Sequence, residues 1–98
     1  MNDLVDRQGG VQSLERAAAI LRTLANTGSS GTRLSDLSDA IELGKTTTHR
    51  LVNALLELGF VEQDSATRRY RLGIEVYALA MAALSQHDIV ELAHPSLK

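Results

Sequence analysis

A mainly α-helical fold carrying one small β-hairpin is what the sequence predicts, on three observations. Apolar residues recur at three- and four-residue spacings through most of the chain, short glycine- and serine-containing breaks divide those stretches, and one pair of strand-like runs flanks Asp64-Ser65-Ala66-Thr67. With 98 residues and 44% hydrophobic content, the chain has room for one small core.

The first helix is expected from Ser13 to about Thr27, with Leu14, Ala17, Ala18, Leu21, Leu24 and Ala25 on its core face and Ser13 as N-cap. Residues 1–10 ahead of it are expected to be a disordered tail. Asn26 to Thr32, with Gly28, Ser29, Ser30 and Gly31, is a loop, and Thr32-Arg33-Leu34 is short and partly β-prone. Ser35 is a suitable N-cap for a second helix over Asp36 to Ile41, where Asp36 and Asp39 lie near the positive end and Leu37, Ala40 and Ile41 form the buried side. After a break at Glu42-Leu43-Gly44, a third helix runs from Lys45 to Leu58 and stops at Gly59. Phe60–Gln63 and Arg68–Leu72 are the strands of the hairpin. Ile74 to about Ser85 is a last apolar helix, and a further helical start at Asp88 runs toward an interruption at Pro95.

A short helix, a three-residue break and a longer helix make a helix-turn-helix unit, and the hairpin after it makes a wing: a winged helix-turn-helix followed by a linker helix. Advancing 100° per residue from Lys45 places Thr48, Leu51, Val52 and Leu55 on one side of the third helix. Thr46, Arg50 and Asn53 lie opposite, with Thr47 and His49 at the margins. Those side chains offer donors and acceptors for base edges, and an arginine able to bind guanine or phosphate. A solvated polar face is the plain alternative, but three successive threonines are poor helix formers where only solubility is needed. In the hairpin, Arg68, Arg69 and Arg71 can align beside the third helix and meet phosphates or a minor groove. Arg68 and Arg69 are nearest the tip, and Tyr70 is assigned to packing.

The net charge of −2 argues against a nucleic-acid partner only as a sum. From Lys45 to Arg71 five cations face three anions, whereas from Glu75 onward three acids face one lysine. The absence of cysteine excludes a disulfide framework and thiolate metal sites. His49, His87 and His94 have no metal-ligand spacing, no nucleophile is paired with a base, and no glycine run matches a phosphate-binding loop. The expectation is a non-enzyme without cofactor or metal. No apolar run reaches the length of a membrane span, and the first ten residues lack the apolar core of a signal peptide, so a cytoplasmic location is expected. A protein-protein adaptor remains an alternative because of the acidic total and the apolar last helix. An RNA-binding wing has few aromatics to stack on: Phe60, Tyr70 and Tyr77.

Three blocks in order, "VQSLERAAAILRTLA", "LSDLSDAIELGKTTTHRLVNALLELGFVEQ" and "RRYRLGIEVYALA", resemble the N-terminal domain of IclR-type transcription regulators over about Val11 to Leu97. The resemblance implies a DNA-binding domain at 11–73, and at 74–98 a linker helix leading into a C-terminal effector-binding domain. It also implies action as a homodimer on roughly palindromic double-stranded DNA, usually as a repressor. Effectors of such proteins are often organic acids, aromatic compounds or sugar derivatives. "KTTTHR" becomes the start of the recognition helix, so Lys45, Thr46, Thr47, His49 and Arg50 join Asn53 as DNA contacts, with Arg68 and Arg69 on the wing. Four positions depart from the family pattern: Glu42 for glycine, Gly44 for serine or proline, Ser38 for alanine and Thr48 for valine. The resemblance thus leaves two alternatives at this turn, a rebuilt turn or a Glu42 held left-handed at a cost of about 1 kcal/mol, and the Ser38 and Thr48 hydroxyls need partners near the core.

Overall fold

The turn between the second and third helices organises the molecule. In the computed structural model, which describes the backbone of residues 3–87 and the side chains of residues 9–87, the elements are α1 (Asp3–Ala25), α2 (Leu34–Ala40), α3 (Lys45–Leu58), β1 (Val61–Gln63), β2 (Tyr70–Leu72) and α4 (Ile74–Gln86). The helical start at Asp88, Pro95 and His94 lie outside the described residues.

Both helices of the helix-turn-helix end in the same way. After α2, the Glu42 N–H donates to the Asp39 carbonyl and the Leu43 N–H to the Ser38 carbonyl; after α3, Gly59 donates to Leu56 and Phe60 to Leu55. Each is the paired closure that a left-handed residue permits. Gly59 takes that conformation freely at φ 84°, but Glu42 takes it at φ 54° with a Cβ in the way. Of the two alternatives, a rebuilt turn or a left-handed Glu42, the structure has the second. Glu42 is exposed, so glycine there would lose little buried surface. Left-handed backbone costs an L residue about 1–2 kcal/mol, and glycine's greater freedom in the unfolded chain offsets about 0.4–1 kcal/mol of the relief. Glu42→Gly is expected to raise unfolding stability in urea by about 0.5 kcal/mol; a lower midpoint than the parent would show that the turn is not strained.

The two hydroxyls near the core are satisfied within their own helices. Thr48 Oγ1 donates to the Gly44 carbonyl at 2.8 Å and Ser38 Oγ to the Ser35 carbonyl at 3.3 Å. The core itself is Ile20 and Leu24 from α1, Leu37 from α2, Val52 and Leu55 from α3, and Val61 and Tyr70 from the hairpin. Tyr70 packs as expected, with Phe60 and Leu72 half-buried beside it.

Two helix starts differ from expectation. Helix α1 begins at Asp3, so Ser13 is an interior residue rather than an N-cap, and the expected disordered tail is helical from Asp3 onward. Gly9 and Gly10 weaken a helix by about 1 kcal/mol each without ending it, and no proline stands in the way. The core stripe of α1 is also rotated to Ala17, Ile20, Leu21 and Leu24, leaving Ala25 exposed and Leu14 72% exposed. Helix α2 begins at Leu34 with Arg33 as its N-cap and no side-chain cap bond, so Ser35 does not cap it. The reason is tertiary: Thr32 pairs with Tyr70 through two 2.8 Å backbone bonds, and the chain turns into helix directly from that bridge. Ala40, expected on the buried side of α2, is exposed.

The antiparallel hairpin pairs Val61 with Leu72, Glu62 with Arg71 and Gln63 with Tyr70. From its base, α4 leaves through a close backbone crossing, with Gly73 N–H donating to the Phe60 carbonyl at 2.8 Å and Glu75 N–H to the Gly59 carbonyl at 3.0 Å. No residue of α4 is buried. Beyond its first turn the helix projects away from the domain. No helix among the described residues is long and apolar enough to cross a membrane.

Candidate nucleic-acid interface

Burial of Thr48, Val52 and Leu55 fixes which side of α3 faces outward. Lys45, Thr46, His49, Arg50 and Asn53 are exposed, and Thr47 is half-buried at the margin, as the helical period requires. Among the described residues, the Lys45 and Arg50 side chains make no ion pair. The Asn53 amide nitrogen lies 3.5 Å from the His49 ring one turn earlier, at the limit of a hydrogen bond. The outward face thus presents two cations and four polar groups whose bonding capacity is almost wholly unused by the protein.

The wing is shaped by its acids. Asp64 Oδ1 accepts from the backbone N–H of Ala66 at 2.8 Å and of Thr67 at 2.9 Å, which tightens the turn into one loop. The Thr67 bond, then the Ala66 bond, then the Thr67 hydroxyl and the Arg71 charge, hold the Asp64 carboxyl below its ordinary 3.8. A depressed carboxylate stabilises the folded turn fully above the ordinary value and ceases to as pH falls through the lower folded one. The Asp64 contribution to the turn is therefore present at neutral pH. Glu62 binds Arg71 across the strands at 2.5 Å, and Asp64 lies 3.8 Å from the same guanidinium. Arg71, one of three arginines expected to line up along the wing, is thereby held on the sheet by carboxylates, and Glu62 keeps it firmly protonated.

Arg68 and Arg69 both follow the turn but lie against different parts of the protein. Arg68 has φ 66° and shares a groove with His49 of α3, whereas half-buried Arg69 lies against the loop at Gly31. The same groove is lined by Arg33 and Ser35 at the start of α2. Sequence reasoning treated Arg33 as part of a connector. The available signal was an arginine directly ahead of the first helix of a helix-turn-helix, the helix that crosses the DNA backbone in such units.

A model of the IclR helix-turn-helix domain matches residues 13–65. The chain is 46% identical over 79 residues to the glycerol operon regulatory protein of Streptomyces coelicolor, covering 81% of this chain and 31% of that protein. It is 35% identical over 91 residues to the HTH-type transcriptional repressor AllR of Escherichia coli K12, covering 93% of this chain and 33% of that protein. The crystal structure of Pseudomonas aeruginosa HmgR superposes with a TM-score of 0.73 at 33% identity, over 86% of this chain and 34% of that one. The chain therefore spans about a third of the length of the curated relatives it matches. Those relatives are regulators and repressors of transcription rather than enzymes. By its matched domain, its winged fold and these relatives, the chain belongs to the IclR helix-turn-helix family of DNA-binding transcription regulators.

Proposed function

We propose that the chain reads a two-fold symmetric operator as a homodimer, in the cytoplasm, as the DNA-binding part of a longer repressor. Lys45, Thr46, Thr47, His49, Arg50 and Asn53 face the major groove, where Arg50 and Thr46 reach base edges. Arg68 and Arg69 contribute contacts to phosphates or the minor groove. The observation that carries this reading is the exposed polar face of α3, aligned beside a wing whose acids are occupied with its own backbone and Arg71.

Dimerisation is supported by α4. Ile74 and Met81 are each 69% exposed and Tyr77 60%, with Leu79 and Leu84 also exposed, and a small domain has no surface of its own left to cover them. A second copy of the same helix, related by a two-fold axis, is the simplest cover; Val11 and Leu14 of α1 are also exposed. A small-molecule effector acts through a C-terminal domain beyond residue 98, in keeping with the greater length of the relatives.

Sedimentation of the chain with and without residues 74–98 tests the dimer. A dimer is expected for the full chain and a monomer for the shortened one, with the full chain binding a palindrome far more tightly than a half-site. A full chain that stays monomeric at high concentration and binds half-site and palindrome alike would overturn the dimer.

A further inference from the structure

We infer that Arg33 is a DNA-backbone contact, and that it and Arg68 grip one phosphodiester of the bound duplex between the wing and the segment ahead of α2. The inference rests on the reading of α3 as the DNA-facing helix. One open groove is lined by Arg33 and Ser35 from the start of α2, His49 from α3, and Gln63, Thr67 and Arg68 from the wing. Among the described residues no carboxylate lines it. The nearby wing acids are directed elsewhere, Asp64 to the turn backbone and Glu62 to Arg71. Among the described residues neither Arg33 nor Arg68 forms an ion pair. Two arginines at one groove, with no carboxylate among its described lining residues, make a site of positive potential that a singly charged phosphodiester complements, and a guanidinium fork matches its two free oxygens.

A second observation is independent of the groove. Arg68 sits at φ 66°, a conformation that a side chain with a Cβ rarely adopts. It is held there by its N–H donating to the Asp64 carbonyl at 2.8 Å and by Gln63 Nε2 donating to the Arg68 carbonyl at 2.9 Å. Backbone strain kept in place by surrounding bonds is commonly found where a side chain is being aimed at a ligand. Here the strained residue is the one wing arginine that lines the groove, while Arg69 lies elsewhere. His49 belongs both to the outward face of α3 and to this groove, so a strand bordering the major groove that α3 enters would pass through it. Ser35, Thr67 and His49 add polar groups around such a phosphate.

The test measures binding of a random-sequence DNA duplex across a salt series by the parent, Arg33→Ala, Arg68→Ala and the double variant. Arg22→Ala, which removes an equal charge from an exposed position on α1, is the control. Arg33→Ala is expected to lower affinity roughly tenfold, by the same factor for random and selected duplexes, because a phosphate contact carries no sequence information. If one phosphate is shared, each single variant leaves a cation on it, and only the double variant lowers the salt slope by the full amount of about 0.9. Single variants that each lose about 0.9 and a double that loses about 1.8 would place the two arginines on separate phosphates and overturn the shared site. Arg33→Ala matching the parent, or losing no more than Arg22→Ala, would remove Arg33 from the interface while leaving the parent's salt-dependent binding intact. A parent that shows no salt-dependent binding would instead overturn the reading of α3 itself.

Discussion

Replacing Arg50 by alanine is expected to weaken binding to a selected operator by about 1–3 kcal/mol, and Thr46→Ala by a similar amount if its hydroxyl reaches a base edge. Both side chains are exposed, and neither belongs to the core formed by Ile20, Leu37, Val52 and their neighbours. Their removal should therefore leave the unfolding midpoint close to that of the parent. Loss should be largest for the selected sequence and small for random duplexes, because a base-edge contact discriminates where a phosphate contact does not. Competition between selected and random duplexes on each variant checks this. If both variants bind the selected duplex like the parent, the outward face of α3 is not the reading surface. An equal loss on both duplexes would place Arg50 on phosphate instead.

Gly73→Ala is expected to cost about 2–3 kcal/mol of stability, a large fraction of what a small domain has. A Cβ at Gly73 would stand 2.3 Å from the Gly59 carbonyl oxygen and 3.0 Å from the carbonyl carbons of Gly59 and Phe60. All three neighbours are backbone, so relief requires moving the end of α3 away from the start of α4 and weakening the two bonds that join them. The φ of Gly73 is −94°, so the effect is one of space rather than of glycine's conformational freedom. Gly10→Ala is the contrasting variant, since a Cβ there meets nothing within 4 Å, and alanine in a helix interior should gain up to about 1 kcal/mol over glycine. Urea unfolding of both variants measures the difference. A Gly73→Ala protein as stable as the parent would show that the crossing of α3 and α4 is loose.

That crossing is the kind of feature the sequence does not display. Helix α3 is legible at both ends because its signals are local: a polar start after Gly44, a regular apolar stripe through Thr48, Val52 and Leu55, and a left-handed stop at Gly59. Its outward face follows from the same period, which is why Lys45, Thr46, His49, Arg50 and Asn53 are exposed and Thr47 lies at the margin. The start of α2 follows instead from a pairing between Thr32 and Tyr70, 38 positions apart, which overrides the capping preference of Ser35. In α1, the run Ala17-Ala18-Ala19 offers little contrast between faces, so the sequence favours the Leu14 side although Ile20 is the fully buried residue. The fate of the wing arginines depends on hairpin register, since it is the pairing of Glu62 with Arg71 that sets a carboxylate against the Arg71 charge. Arg33 and Arg68 are 35 residues apart, and only the fold reveals that they line one groove.

The central claim, that α3 and the wing together read double-stranded DNA, is tested most directly by selecting duplexes from a random pool with the 98-residue chain and titrating the enriched sequence at several salt concentrations. The account predicts enrichment of a two-fold symmetric sequence with half-sites about 10–10.5 base pairs apart, or a multiple of that, and an affinity that falls steeply as salt rises. Failure to enrich any sequence, together with binding that is indifferent to salt, would contradict it.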